Sequence, residues 1–414
     1  MSKREVGDGV IGWILLSRDA VARAEQALTS DEKGVRDEVG FLAIHQGFAD
    51  RFFPGTSVLH TRLRYALFVP WMMEQVASQG GNDLIRRLAA SETALAGQLN
   101  IGKLTDPDCD GIIGGLVWPR NAAQPPSFSY WSALGAWGIL RPRADGAKPS
   151  RIETLRRLAQ TRPNRRARAS DDDGGALEHD GASPFVTLPV SPQSLGANGE
   201  PLGFGLTEPE RAFLRKHLLG VRRPGTAVPS LLSRLAEVSV APGAPDPWSR
   251  EVVEIADQED KFALIVARSA AALAGIGRGV YAALTELVWA KDGFSDIRTQ
   301  RDHLRTLIEI YGDNARALDL KALENLVPDL PSHLLNVLRA TQDWLRVQQS
   351  DLSELRAVYA NAEQARKGLR ARLPDNVAGR QRRAEWDPQQ QPLAVPLHYR
   401  WSNVRRLMTD LQPS

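Results

Sequence analysis

The densest group of potential ligands in the chain is Asp106-Pro107-Asp108-Cys109-Asp110-Gly111. Oxygen-bearing side chains at the first, third and fifth positions, Gly at the sixth and Ile113 at the eighth follow the opening of a calcium-binding EF-hand loop. The twelfth position, which should supply the bidentate Glu that completes such a site, is Val117. Without it the stretch reads as an Asp/Gly turn, and no metal site is expected. The histidines His45, His60, His179, His217, His303, His333 and His398 form no helical pair at metal spacing and no His-Glu-x-x-His. Ala274-Gly275-Ile276-Gly277-Arg278-Gly279 has the look of a phosphate loop but lacks a preceding strand and the Lys-Ser/Thr of a Walker motif. Its glycines read instead as room for a neighbouring helix. No serine sits in a Gly-x-Ser-x-Gly elbow, and Asp171-Asp172-Asp173 reads as a solvated run. No catalytic residue and no cofactor are therefore expected.

The arginines point to a different chemistry. Arg141, Arg143, Lys148, Arg151, Arg156, Arg157, Arg162, Arg165, Arg166 and Arg168 crowd one region, opposed only by Asp145 and Glu153, although the whole chain carries a net charge of only +3. Such a cluster can neutralise phosphates and release their counterions. Trp131 and Trp137 precede it, and aromatic rings can stack on unpaired bases. The candidate nucleic-acid contacts are Arg151, Arg156, Arg157, Arg165 and Arg166. The competing reading is a solvated face whose arginines pair with acids elsewhere. A second basic run holds Arg366, Lys367, Arg370, Arg372, Arg380, Arg382 and Arg383.

Composition bounds the rest. With 43% hydrophobic and 24% charged residues over 414 positions, the chain is of ordinary globular type, with room for two or three domains. A single cysteine, Cys109, excludes an intramolecular disulfide framework and a cysteine-rich zinc site, and suits a cytoplasmic location. No apolar run approaches the ~20 residues of a membrane span. Gly9–Leu16 is too short for one and lacks a signal-peptide cleavage site. No membrane partner is expected.

The element around which the chain is organised is a corner. Phe41–Phe53 has helical apolar spacing, Pro54-Gly55 is a turn pair, and Thr56 or Ser57 is placed to cap a second helix. In that second helix Leu59, Leu63, Leu67 and Trp71 recur every four residues. Phe52, Phe53, Pro54, Gly55, Tyr65 and Trp71 are the expected structural residues of the corner. Further helices are expected over Asp19–Leu28, from Asn82 or Asp83 through Leu99, and over Ser129–Ile139 and Arg151–Gln160. Thr207-Glu208-Pro209-Glu210 opens another with a capping box. Ser230–Val238, a central buried helix over Ala267–Leu287, Ile297–Tyr311, Lys321–Val327, Ser332–Gln348, Asp351–Leu373 and Arg400–Leu411 complete the set. Residues 374–396 read as irregular. The span 163–205 is rich in Pro, Gly, Ser and Asp, so it reads as a linker or mobile loop unable to offset its own chain entropy. The expected fold is mostly α and multi-helical. It has two helical domains, 1–162 and 206–414, joined by this Pro/Gly/Asp-rich linker.

Phe52-Phe53-Pro54-Gly55-Thr56-Ser57, Thr61-Arg62, Arg64-Tyr65 and Leu67-Phe68-Val69-Pro70-Trp71 resemble the signature of an uncharacterised bacterial family, catalogued as a domain of unknown function and found in phage-defence gene islands. Gly12-Trp13, Asp110-Gly111-Ile112-Ile113-Gly114, Ser129-Tyr130-Trp131, Leu134–Ile139, Leu397–Trp401 and Val404-Arg405 follow it in the same order. The resemblance implies a defence setting and assigns no catalytic residue. Together with the arginines, it leads to the expectation of a non-catalytic helical subunit of an anti-phage system. Such a subunit would act with a helicase or nuclease partner and contact DNA through its arginine clusters. The alternative is a metal-dependent nuclease whose carboxylates are gathered only by the fold.

Overall fold

The computed structural model describes residues 37–413, apart from 82, 107, 161–182, 198, 239–242 and 348–350. The described chain is mostly helical, and its β-structure is confined to two isolated bridges, Leu140 with Phe185 and Arg222 with Pro229. The expected Asp19–Leu28 helix lies outside the described residues.

The chain divides into two compact units. One comprises Met1–Phe48 and Phe262–Tyr399, the other Ala49–Lys261 and Arg400–Ser414. This division differs from one at 163–205, which falls inside the second unit. Residues 163–182 lie outside the described set, but 183–205 are packed. Phe185, Leu195, Leu202 and Phe204 are buried. Trp71 Nε1 donates to the Pro189 carbonyl at 2.9 Å, and the buried Gln98 amide donates to the carbonyls of Ser194, Ala197 and Glu200. A segment poor in apolar residues is ordered here because side-chain donors on neighbouring helices satisfy its backbone oxygens.

In the first unit, residues 262–291 of the long helix Gln258–Lys291 form the core. Its small residues let other elements approach closely. A Cβ at Gly277 would lie 2.5 Å from Phe41 Cζ, and one at Gly275 would lie 3.0 Å from the Pro396 backbone. By length and composition this helix could cross a bilayer, but 83% of its apolar window is buried inside the protein. Its Ala-rich pattern reports a core helix. The buried Glu286 carboxylate accepts from the Gln300 and Arg301 backbone N–H groups at 2.9 and 3.0 Å, satisfying the orphan donors that open the helix Thr299–Arg316. Ser332–Arg346 packs on Arg356–Lys367, with Thr341 Oγ1 and Tyr359 OH 2.7 Å apart. Tyr281 OH donates to Glu363 Oε1 at 2.6 Å. The irregular stretch 374–396 contains the short helix Val377–Ala384.

In the second unit, the helix Glu208–Leu219 opens on Thr207 with both halves of a capping box. Ser230 caps Leu231–Glu237 by accepting from Ser233 N–H. Two expectations are corrected. The helix after the corner begins at Tyr65, not after Thr56, and runs through Pro70 to Gln79. Residues 57–64 are turns and irregular backbone. Thr56 Oγ1 donates back to the Phe53 carbonyl at 2.6 Å, and Ser57 Oγ accepts from the Leu59 N–H at 3.2 Å within a turn, so neither caps a helix. The aromatic stretch Ser129–Ile139 is two short helices, Pro126–Ser129 and Trp131–Ala136, broken at Tyr130.

Candidate nucleic-acid interface

The corner is a buried architectural joint of the second unit. Phe52, Phe53, Tyr65 and Trp71 are all buried. The ring contacts run in two groups. Phe53 touches Phe52 and Trp401, while Tyr65 and Trp71 both pack against Phe68, with centroids 5.9 and 6.1 Å away. Gly55 has φ +78°, and a Cβ there would lie 2.6 Å from Ala136 Cβ, so the turn and the approach both require Gly. Trp137 Nε1 donates to the Pro54 carbonyl at 3.2 Å.

Residues 60–65 form a hydrogen-bonded knot around Tyr130. Its hydroxyl accepts from the Thr61 and Arg62 N–H groups, both at 3.0 Å, and donates to the Arg62 carbonyl at 2.7 Å. His60 stacks on the Tyr130 ring at 4.2 Å. Its Nε2 lies 2.9 Å from the Ser129 carbonyl and its Nδ1 3.2 Å from the Ser57 N–H. A carbonyl only accepts and a backbone N–H only donates, so the ring is neutral with its proton on Nε2. Burial, opposed in part by the Ser129 bond, lowers its pKa to about 4.

The corner arginines are spent on the fold. Arg62 grips Asp410 from Nε and Nη2, each 2.9 Å from Oδ1, and covers the Phe204 ring at 4.5 Å. Arg64 reaches Glu210 at 2.8 Å and the Gly203 carbonyl at 2.8 Å. Arginines also occupy the calcium-like loop. The Asp108 and Asp110 carbonyls accept from Arg62, and the Asp110 carboxylate pairs with Arg62 and Arg406. Burial works against that carboxylate, but the two guanidiniums hold its pKa below the usual range. Among the described residues, no group of three His, Cys, Asp or Glu side chains is placed to hold a metal ion. A cavity of about 40 Å³ opens beside Glu92, Thr93, Arg120 and Asn121.

The helix Arg151–Gln160 packs on Tyr65–Gln79 and on Leu84–Gly102. Thr154 and Leu155 face inward. Arg151 precedes them by three and four residues and therefore shares their face. Its Nη1 donates to Ser127 Oγ at 3.0 Å and its guanidinium lies 5.4 Å from the centroid of the Phe128 ring. Burial lowers its pKa, against the field of the buried Glu92. Arg151 is thus a packing residue here and not an outward phosphate contact. Ile152, Arg156 and Gln160, spaced by four, form the solvent face, with Arg157 half-buried beside it. Arg156 makes no ion pair among the described residues. Arg141 and Lys148 are exposed, whereas Arg143 is held by Asp145 and Glu153. Arg165 and Arg166 lie outside the described residues.

The two tryptophans before this helix are core residues. Trp131 Nε1 donates to the Pro149 carbonyl at 3.0 Å, and Trp137 closes the corner, so neither offers a face to a base. The second basic run is also largely internal to its unit. Arg366 pairs with Asp37, Lys367 and Arg372 with Glu38, and the buried Arg383 with Asp292. Sequence reasoning missed His60, Glu92, Gln98 and Asp410, whose partners are distant in the chain. Only Glu210 carried a local signal, its capping box.

The stretch that builds the corner, the Tyr130 knot and the loop 106–126 also carries the likeness to known proteins. Residues 9–149, about a third of the chain, are similar to a family of unknown function, DUF6361. The matched stretch contains Phe52–Ser57, Asp110–Gly114 and Ser129–Ile139, and also Gly12-Trp13, which lies outside the described residues. Leu397–Trp401 falls beyond it. No curated protein and no solved structure matches the chain.

Proposed function

We propose that this chain is a non-catalytic, helical subunit of a bacterial anti-phage defence system. It works in the cytoplasm with a helicase or nuclease partner and holds DNA by its phosphates. The observation that carries the DNA contact is Arg156. It stands exposed, with no acid to neutralise it among the described residues, on a helix seated by Thr154, Leu155 and Arg151. Arg157, Arg141 and Lys148 extend the positive surface. The defence setting rests on the resemblance carried by the corner residues Phe52–Ser57 and Thr61–Trp71.

Contacts of this kind read charge and not base edges, so binding is sequence-independent and falls by ~0.9 log units per log unit of salt for each phosphate neutralised. A filter-binding titration with duplex DNA across a salt series tests this. Replacing Arg156 and Arg157 together by Ala should lower the slope by about two, and Arg151→Ala should leave it unchanged. An unchanged slope in the double variant, or absence of binding at low salt with and without the operon partners, would overturn the DNA contact.

A further inference from the structure

The first unit carries a surface of different character. The helix Gln258–Lys291 ends at Lys291, and Gly293, at φ +89°, turns the chain back. That turn lays the Phe294 ring on Trp289, with centroids 5.4 Å apart and planes 16° from parallel. Trp386, buried, meets Trp289 edge-on at 6.3 Å and fixes it from beneath. Phe294 remains 44% exposed. With one face on Trp289, it presents its other face and edge to solvent. An offset stack open on one side can accept a third ring.

One cation is tied to the turn that carries this stack, and a second follows in the chain. Arg380 is exposed and donates from Nη2 to the Asp292 carbonyl at 3.0 Å, two residues from Phe294. Arg298, exposed, follows Phe294 by four residues. Arg380 makes no ion pair among the described residues, whereas Arg298 lies in the field of Asp296. The nearby acids are mostly engaged: Asp292 with Arg383, Asp296 with Arg301, and Glu385 with Arg382. Asp351 lies in the field of Lys291, and Asp387 caps the Gln389 N–H. The positive charge left over is that of Arg380 and the part of Arg298 that Asp296, held first by Arg301, does not offset.

We propose that the Trp289–Phe294 pair is a stacking platform for an unpaired nucleobase, with Arg380 and Arg298 as its phosphate contacts. The first unit thereby takes single-stranded nucleic acid. An open aromatic face beside exposed arginines is the arrangement by which single strands are held without sequence preference. A duplex, whose bases are already stacked, gains nothing from the ring.

Fluorescence anisotropy with a labelled oligothymidylate and with a duplex of equal length tests this on the full chain. Phe294→Leu keeps an apolar cover over Trp289 but removes the aromatic face, whereas Phe294→Tyr retains it. Phe294→Leu should weaken oligothymidylate binding ~5- to 150-fold, the equivalent of 1–3 kcal/mol for one stacked base. Phe294→Tyr should bind as the parent does, and duplex binding should not move with either variant. Arg380→Ala should weaken the single strand and reduce its salt slope by about one. Parental oligothymidylate binding by Phe294→Leu, equal loss on both probes, or no single-strand binding by the parent would overturn the platform. If the single strand is instead lost on replacing Arg156 and Arg157, it sits on the arginine helix. The platform then fails while the proposed DNA contact survives.

Discussion

Acid should weaken the second unit through one buried histidine. His60 is enclosed, neutral and hydrogen-bonded at both nitrogens, and its pKa is lowered from 6.5 to about 4. Between those values the unfolded chain holds a proton on this ring that the folded chain does not, so stability falls as the pH falls. The separation is worth about 3 kcal/mol when complete, with about 2 kcal/mol of it lost by pH 5. Burial raises the pKa values of Asp260, Asp410 and Glu92, which moves stability in the opposite direction. The quantity to measure is therefore the difference between the parent and His60→Gln at each pH, in which those carboxyls cancel. Gln retains an amide donor towards Ser129 and does not titrate. Urea unfolding followed by tryptophan fluorescence should show the parent's advantage at pH 8 shrinking by about 2 kcal/mol at pH 5. Nitrogen NMR of the ring should find Nε2 protonated and Nδ1 bare down to about pH 4. A gap independent of pH, or a ring that titrates near 6.5, would refute the enclosed neutral histidine.

Trp71→Ala should cost ~3–5 kcal/mol in a thermal or urea melt, through the cavity it leaves and the lost bond to Pro189; a parental melt would make Trp71 a surface residue. Arg62→Leu should cost ~3–5 kcal/mol by leaving the buried Asp410 carboxylate without its guanidinium, and Asp410→Asn introduced beside it should recover part of that loss. Gly102→Ala would place a Cβ 1.9 Å from the Leu202 carbonyl oxygen. It should destabilise by ~1–3 kcal/mol and expose 183–205 to protease before the rest of the second unit.

Much of the helical layout was legible in the sequence because its causes are local. The capping box at Thr207 and Glu210 and the helical stretches Leu84–Leu99, Arg151–Gln160 and the one opening at Ser230 rest on signals within a turn or two of the chain. The Ala/Gly density of 267–287 announced close packing, and Phe41, Tyr359, Leu304 and Leu307 occupy the space those glycines leave. Where local signals misled, another partner, near or distant, had taken the group. Thr56 and Ser57 look like caps, but the Phe53 carbonyl and the Leu59 N–H occupy their hydroxyls, and the four-residue recurrence of Leu59 and Leu63 runs into a stretch that Tyr130, 68 and 69 residues from its partners Arg62 and Thr61, holds out of the helix.

The arginines divide along the same line. From the sequence alone came a basic region, a helix over Arg151–Gln160, and two tryptophans before it. Only the tertiary structure decided which of these could meet a ligand. It turned Arg151 onto Ser127 and Phe128, buried Trp131 and Trp137, and left Arg156 in solvent. It also brought Asp410 to Arg62 and, in the other unit, Asp37 and Glu38 to the run around Arg366. A guanidinium's role depends on which carboxylate or carbonyl lies within about 3 Å, and contacts across 300 residues leave no periodicity to read. Composition dictates how much charge the chain carries; packing decides how much of it remains for anything else.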